Sequence, residues 1–241
     1  MIRAEGLGKS FGSLQAIEQV SLQAPDGRIT ALLGPNGAGK STTLRILSTV
    51  LRADTGSAWV DDHEVAADPT AVRRAIGVLP HQAGLYDRLT ARENVSYFGA
   101  LHGLSGRALR SRVDQLIRQL DMEDFAGRRV AGFSQGQRIK VALARALVHD
   151  PRNVLLDEPT NGLDVMATRA LREIILSLKS EGRCVVFSSH VMQEVATLCD
   201  DVVIVADGKV QFAGTLDGLR QQTGEHDLEE AFVRLVAGQH P

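Results

Sequence analysis

A glycine-rich stretch that ends in a lysine and two hydroxyl residues carries the clearest chemistry in the chain. Residues 34–42 fit the phosphate-binding pattern Gly-x-x-x-x-Gly-Lys-Ser/Thr. The glycines let backbone N–H groups point inward, Lys40 adds a positive charge for the β- and γ-phosphates, and Ser41 offers a hydroxyl to Mg²⁺. We therefore predict a nucleotide site made by the whole loop, namely Gly34, Pro35, Asn36, Gly37, Ala38, Gly39, Lys40, Ser41 and Thr42.

Two adjacent acids end a second apolar run. Residues 154–156 are Val-Leu-Leu, and Asp157 and Glu158 follow them. In a phosphate-loop protein, a carboxylate at a strand end reaches Mg²⁺ beside the loop, and we predict that role for Asp157. Glu158 would then lie next to the γ-phosphate, where a carboxylate can polarise an attacking water. Two surface acids are the alternative, which the uninterrupted motif 159–164 makes weaker.

The elements around these residues alternate as in an α/β fold. Strands are predicted over residues 2–7, 16–22, 28–33, 57–60, 76–79, 154–156, 184–187, 202–205 and 209–213. Residues 54–56 are predicted to end the helix that follows the phosphate loop. One helix is predicted after the phosphate loop, a second begins at Thr90, and a third runs from Ser105 to about residue 120. Further helices are predicted over residues 135–148, 165–180, 191–198, 216–222 and 228–236. The alternation after residue 132 predicts parallel strands covered by helices.

The segment from about residue 91 to 120 is the most helical by pattern. Thr90 and Glu93 have the spacing of a capping box, and apolar residues from Leu109 onward recur at helical spacing. Arginines are interleaved with this apolar stripe, and a solvated face explains them better than a docking surface. Those arginines are Arg107, Arg110, Arg112 and Arg118.

Composition limits the possible classes of protein. The chain has 241 residues, of which 44% are hydrophobic and 23% charged, so we expect a globular chain of one large domain or two small ones. A net charge of −2 argues against broad nucleic-acid binding. Neither a signal peptide nor a run of about 18 apolar residues is present, so we expect another chain to cross the membrane if this one works there.

The motif over residues 157–164, Asp-Glu-Pro-Thr-Asn-Gly-Leu-Asp, resembles that of the ATP-binding subunits of ABC transporters. The resemblance runs from about residue 2 to 214, with the motifs in the family's order. Residues 133–138, Phe-Ser-Gln-Gly-Gln-Arg, occupy the place of the family signature Leu-Ser-Gly-Gly-Gln and depart from it at Phe133 and Gln135. His190 resembles the family's switch histidine.

The resemblance implies roles for further residues. Glu158 and His190 would be catalytic, Phe11 would stack on adenine in place of the more usual tyrosine, and Ser134, Gly136, Gln137 and Asp164 would bind nucleotide across a dimer. Ser41 and Asp157 would hold Mg²⁺ together with the glutamine-loop residue. Counting back from Leu85-Tyr86 places His81 at the glutamine position and Gln82 one residue later. We favour Gln82 because Mg²⁺ prefers oxygen ligands, and leave His81 or a bridging water open.

The resemblance also implies an architecture and partners. We expect an α/β phosphate-loop ATPase core with a mostly parallel sheet, an N-terminal antiparallel β-subdomain and an inserted α-helical subdomain. The chain would be one ABC domain over 1–241, with the helical subdomain at about 83–150 and a short helical tail at about 215–241. It would bind ATP and Mg²⁺, pair head to tail with a second copy, and sit on the cytoplasmic face of a membrane beside a separate permease.

Within the family, the chain resembles single-domain subunits of sodium-extrusion and drug-resistance exporters. Three stretches carry this resemblance: residues 85–94, the Phe-Ser-Gln-Gly-Gln signature, and residues 227–232. The transported species, Na⁺ or a small molecule, is an expectation by analogy, since the substrate does not touch this chain. The rival readings are a soluble ABC ATPase outside transport, a nucleotide sensor that does not hydrolyse, and another phosphate-loop enzyme such as a kinase.

Overall fold

Two β-sheets and nine helices are found in the computed structural model, which describes residues 1–237 of the protein. The strands are β1 (Ile2–Phe11), β2 (Leu14–Ala24), β3 (Ile29–Leu33), β4 (Thr55–Val60), β5 (His63–Glu64), β6 (Ile76–Leu79), β7 (Asn153–Asp157), β8 (Cys184–Ser189), β9 (Asp201–Ala206) and β10 (Lys209–Thr215). The helices are α1 (Lys40–Leu47), α2 (Pro69–Ala75), α3 (Ala91–Leu101), α4 (Gly106–Gln119), α5 (Gln135–Leu147), α6 (Val165–Ser180), α7 (Met192–Leu198), α8 (Leu216–Thr223) and α9 (Leu228–Ala237). The end of the predicted tail, 238–241, lies outside the described residues.

The larger sheet has six strands in the order β10-β9-β3-β8-β7-β6. Its neighbouring strands run parallel except for the antiparallel pair of β10 and β9. Strands β3, β7 and β8 are buried along their whole length, as expected of strands covered on both faces. The mostly parallel sheet predicted from the alternating pattern is therefore present.

The register of this sheet brings the ends of several strands to one edge. Leu33, the last residue of β3, pairs with Ser189 at the end of β8, and Asp157 at the end of β7 pairs with Ser188. Because these strands are parallel, the loops that follow them leave from the same edge. The phosphate loop, the acidic pair and the segment before His190 therefore start as neighbours.

The smaller sheet is antiparallel, in the order β2-β1-β4-β5. Strand β1 continues through Gly6 and Gly8, where the sequence pattern predicted an interruption. The register shifts between Ala4 and Leu7, and Gly6 has a φ of 61°, so this glycine forms a bulge rather than a strand end. As a result β1 reaches Phe11, which pairs with Leu14 at the start of β2.

Two local predictions differ from the structure near α1 and α2. Helix α1 ends at Leu47, before the predicted break at 54–56, and Thr49 just beyond it has a φ of 64°. Helix α2 was not predicted. Its signal is local: Asp68 accepts a hydrogen bond from the Ala71 N–H at 3.0 Å, and Pro69 occupies the first helical position.

Helices α3 and α4 come from the segment 91–120 that the sequence predicts to be helical, and α5 corresponds to the helix predicted over 135–148. The predicted capping box is present, since Thr90 and Glu93 exchange hydrogen bonds between side chain and backbone. The predicted solvated face holds for Arg107, Arg110 and Arg118 but is wrong for Arg112. The Arg112 guanidinium donates to the carbonyls of Leu147 at 2.7 Å and Val148 at 3.2 Å, so it satisfies the end of α5.

A pair of histidines stacks where α3 and α5 end. The rings of His102 and His149 lie 3.6 Å apart and 3° from parallel. His149 Nε2 lies 2.9 Å from the Ile76 carbonyl, which fixes the neutral tautomer with its proton on Nε2. The buried Nδ1 has no hydrogen-bond partner among the described residues. Burial lowers the pKa of His149 to about 4, and the nearby His102 adds to the effect.

Acid should therefore destabilise the fold through His149. Between pH 6.5 and 4 the unfolded chain binds a proton at this ring that the folded chain does not bind, so the free energy of unfolding falls as pH falls. We expect His149→Gln to lose about 2 kcal/mol less than the parent chain over this range, with solvent screening allowed for. Denaturant unfolding at several pH values measures this, and parallel curves for the two proteins would contradict it.

Candidate active site

The phosphate loop is wrapped around the ammonium group of Lys40. Lys40 is only 4% exposed, and its Nζ donates to the carbonyls of Gly34 at 2.8 Å and Pro35 at 3.0 Å. Gly39 caps α1 with a φ of 103°, and a Cβ added there would lie 2.4 Å from Ile17 Cγ2. The loop therefore needs glycine at this position for both its backbone conformation and its close packing.

Asp157 connects the acidic strand end to the phosphate loop. Its Oδ1 accepts hydrogen bonds from Ser41 Oγ at 3.0 Å and from Ser188 Oγ at 2.7 Å. A hydroxyl oxygen and a carboxylate oxygen thus lie side by side at the start of α1. Oxygen donors of this kind are those that Mg²⁺ prefers, so the chemistry of the two residues fits that ion.

Glu158 lies at the centre of the charged groups. Its φ is 47°, a left-handed conformation that non-glycine residues adopt at a cost of roughly 1–3 kcal/mol. Its side chain, 12% exposed, lies 3.7 Å from Lys40 Nζ and 3.4 Å from His190 Nδ1. Its backbone N–H donates to Ser188 Oγ at 2.8 Å. One carboxylate therefore contacts a lysine and a histidine that the sequence places far apart.

The protonation of Lys40 depends on these neighbours. Burial lowers the pKa of the Lys40 ammonium, while the charges of Glu158 and Asp157 oppose that change. A buried cation beside two carboxylates is stabilised by them, and it offers a full charge to an anion that enters the loop.

A cleft of 730 Å³ opens over the phosphate loop, within the size range of sites for nucleotide-sized ligands. Five of the residues that line it were not singled out by the sequence analysis: Leu14, Gln15, Ala16, Arg45 and Asn161. Phe11 and Leu14 are exposed apolar side chains at its mouth, at 46% and 66%. Phe11 pairs with Leu14 where β1 turns into β2, outside the predicted strands, so no signal in the sequence indicated Leu14. Asn161 lies within the motif 157–164, whose residues were not assigned roles one by one.

The signature residues lie apart from this cleft. Ser134 and Gln137 form a capping box at the start of α5, in which each side chain bonds the backbone of the other residue. Asp164 accepts a hydrogen bond from the Ala167 N–H at 2.8 Å and so caps α6. Among the described residues, none of the four predicted signature-side contacts, namely Ser134, Gly136, Gln137 and Asp164, lines the cleft.

The two candidates for the glutamine-loop position, His81 and Gln82, lie next to different acidic residues of the site. His81 lines the cleft, and its Nδ1 lies 3.7 Å from Glu158 Oε2. Gln82 lines an adjoining cavity of 330 Å³, which His81 also lines and which has Asp157 in its wall. The geometry therefore brings His81, rather than Gln82, to the central carboxylate.

Comparison with known proteins agrees with this geometry. The family profile described as "ABC transporter" matches residues 17–161, which is more than half of the chain. The chain belongs to the ABC transporter family, as one of its ATP-binding and ATP-hydrolysing subunits. The family resemblance and the fold class expected from the sequence are confirmed.

Two curated relatives and one solved structure are similar to most of this chain. The ABC transporter ATP-binding protein NatA of Bacillus subtilis is 43% identical over 93% of this chain and 92% of its own length. The daunorubicin resistance ATP-binding protein DrrA3 of Streptomyces coeruleorubidus is 37% identical over 99% of this chain and 75% of its own length. A dimeric ATP-binding cassette solved in a post-hydrolysis state with ADP and Pi is 28% identical and has a TM-score of 0.81, over 90% of this chain and 99% of that one.

The position of His81 leads to a test of the glutamine loop. We expect His81→Ala to lower Mg²⁺-dependent ATP turnover about 10-fold or more, because it removes a side chain that contacts Glu158. Gln82→Ala is the matched neighbour and should have the smaller effect. Steady-state phosphate release by both variants at saturating ATP measures this. A larger loss of turnover for Gln82→Ala than for His81→Ala would assign the glutamine-loop position to Gln82.

Proposed function

We propose that this protein is the ATP-hydrolysing subunit that powers an exporter of ions, such as Na⁺, or of small molecules. The observation that carries the proposal is the meeting of Lys40, Glu158 and His190 at one edge of the parallel sheet, beside a cleft of nucleotide size. The drug-resistance relative supports efflux as the process that is powered. Na⁺ is proposed by analogy alone, because the transported species is expected to contact the membrane partner rather than this chain.

ATP is proposed to bind with its phosphates in the loop and its base near Phe11. The buried ammonium of Lys40 and the N–H groups at the start of α1 favour the phosphates. Phe11 and Leu14 present exposed apolar surface at the mouth of the same cleft. Stacking of a base on an aromatic ring contributes about 1–3 kcal/mol, and phenylalanine provides it without the hydroxyl of tyrosine.

Mg²⁺ is proposed to be held by Ser41 and Asp157. Gln82 is the third residue predicted from the sequence, with His81 as the alternative, and the comparison of His81→Ala with Gln82→Ala decides between them. When bound, such an ion neutralises charge on the β- and γ-phosphate oxygens. Asp157 is oriented toward this site by Ser188, whose hydroxyl donates to it at 2.7 Å. A ligand that is itself held by a hydrogen bond keeps its position as the charge around it changes.

Hydrolysis is proposed to use Glu158 as the base. Its carboxylate would accept a proton from the attacking water, and its low exposure keeps competing bulk water away. His190, in contact with Glu158 through Nδ1, would hold the γ-phosphate in line for attack. Lys40 would stabilise the negative charge that develops on the transferred group.

A second copy is proposed to complete each site. Ser134, Gly136, Gln137 and Asp164 lie outside the cleft of their own chain, so a head-to-tail pair would bring them to the partner's nucleotide. Next to Asp164, the side chains of Val165 and Met166 are 83% and 72% exposed, which suits a face that another copy covers. The dimeric cassette among the similar structures supports pairing.

The membrane partner is proposed to dock on the helical segment between residues 82 and 134. Tyr86 and Tyr97 are about half exposed there, with their ring centroids 5.5 Å apart. Among residues 1–237, no helix combines the length and the apolar character needed to cross a membrane. We propose a single ABC domain with helices at about 83–150 as its docking unit and a tail from about 215, located on the cytoplasmic face of the membrane.

The three alternative functions considered for this chain have less support. A soluble ABC ATPase outside transport is not favoured by the exporter-type relatives. A sensor that does not hydrolyse would have no use for Glu158 in a strained conformation between Lys40 and His190. A kinase would leave the capped signature of α5 without a role.

Glu158→Gln should separate binding from hydrolysis. Its amide keeps the shape of the side chain but is a far weaker base, so we expect turnover to fall about 10²- to 10⁴-fold while ATP binding persists and an ATP-bound dimer accumulates. Lys40→Ala is the contrasting variant and should lose nucleotide binding. Equilibrium binding, phosphate release and size-exclusion chromatography measure these effects, and unchanged turnover in Glu158→Gln would remove it from its role.

The docking face can be tested by co-purification. We expect the tagged chain, taken from membranes in mild detergent, to carry a multi-span protein with it, and Tyr97→Asp to lose that protein because a charge on an apolar contact is costly. Val233→Asp is the control, since Val233 is also half exposed but lies on α9. Retention of the membrane protein by Tyr97→Asp would place the contact elsewhere.

A further inference from the structure

A buried carboxylate lies behind the proposed catalytic groups. Glu194, in the first turn of α7, is 5% exposed. Its Oε2 accepts hydrogen bonds from Thr160 Oγ1 at 2.9 Å and from Ser189 Oγ at 3.0 Å. A buried carboxylate is costly unless it is well hydrogen-bonded, so both hydroxyls contribute to keeping it in place.

The two hydroxyls belong to the two loops that carry the reactive side chains. Thr160 lies two residues after Glu158, and Ser189 directly precedes His190. One oxygen atom of Glu194 therefore connects the segment that follows β7 to the last residue of β8. Among the described residues, the hydroxyls of Thr160 and Ser189 do not bond the phosphate loop; Ser189 bonds that loop only through its backbone carbonyl, which accepts from the Gly34 N–H at 3.4 Å.

This connection continues the sheet where its backbone pairing stops. The last residue pair between β7 and β8 is Asp157 with Ser188, and the Glu158 N–H then bonds the Ser188 hydroxyl at 2.8 Å. Beyond that point the segments that follow β7 and β8 are no longer paired through their backbones. Glu194 bridges the gap, while Ser189 Oγ also accepts from the Val191 N–H at 3.0 Å and so fixes the entry into α7.

We propose that Glu194 is a positioning residue for ATP hydrolysis, which holds Glu158 and His190 at the separation that the reaction needs. The proposal rests on the function proposed above, in which Glu158 accepts the proton. The contact that Glu194 maintains is the 3.4 Å approach of His190 Nδ1 to Glu158 Oε1. Misplacement of reacting groups by about 1 Å can cost 10²-fold in rate, even when the change lies away from the reacting atoms.

Glu194→Ala should lower kcat for ATP about 10- to 100-fold, while KM changes less than about 2-fold, because the phosphate loop keeps its own contacts. Glu194→Gln should recover most of the rate, since its amide oxygen can accept the same two hydroxyl bonds. The full chain is assayed for phosphate release over a range of ATP concentrations, and thermal unfolding is measured in parallel.

Three further variants keep the test independent of folding defects. Thr160→Val and Ser189→Ala each remove one of the two bonds to Glu194, and Ser189→Ala also removes the acceptor of the Val191 N–H. The effects of the two variants on kcat should be coupled in the parent chain but additive in Glu194→Ala. Asp200→Asn is the matched control. Asp200 is another partly buried acid just beyond α7, but it bonds the Ile29 N–H at 2.9 Å and Lys179 at 2.7 Å, away from both loops.

The outcomes distinguish this proposal from the one on which it rests. A parent chain that releases no phosphate would overturn the proposed function itself. A parent chain that is active, with kcat unchanged in Glu194→Ala or in both single-hydroxyl variants, would overturn the role of Glu194. The role of Glu194 would also be overturned if Asp200→Asn and Glu194→Ala lost the same fraction of kcat for the same loss of thermal stability. The effect of Glu194→Ala would then be structural only.

Discussion

The parallel pairing of β3, β8 and β7 is the constraint on which the site depends. Loops that follow parallel strands leave from one edge, so residues more than a hundred positions apart in the sequence become neighbours there. The Ser41 hydroxyl reaches Asp157, and Lys40 reaches Glu158, only because Leu33 and Asp157 end strands that both pair with β8. A change of register by one residue would move every one of these contacts.

Charge within the site is balanced around the buried lysine. Lys40 is held by two loop carbonyls and by the field of two carboxylates, while its pKa is lowered by burial. An anion that enters the loop would add its own negative charge beside the Lys40 ammonium and so stabilise the buried cation further. In the same arrangement, Lys40 and His190 approach one carboxylate oxygen of Glu158, and His81 approaches the other.

Features set by neighbouring residues could be predicted from the sequence, whereas features set by distant contacts could not. The phosphate loop, the Thr90 capping box and the buried strands follow from short patterns that carry their own physical reason. Arg112 was misread because its acceptors at the end of α5 lie 35 and 36 residues away. His81 and Gln82 are adjacent on a loop, so no periodic signal in the sequence shows that His81 approaches Glu158 while Gln82 shares a cavity with Asp157.

The strained backbone at Glu158 is held by bonds of a different kind from those of the sheet below it. Within the sheet, β7 and β8 share a continuous backbone ladder. Beyond Asp157 the two segments are joined by the Ser188 hydroxyl and by the hydroxyls of Thr160 and Ser189, which both donate to Glu194. Each such bond contributes only about 1 kcal/mol net, or somewhat more when a carboxylate accepts it. In the proposed dimer, the loops can therefore shift as the nucleotide is cut and released while the strands that align them stay paired, because the hydroxyl bonds open at far lower cost than a buried parallel sheet does.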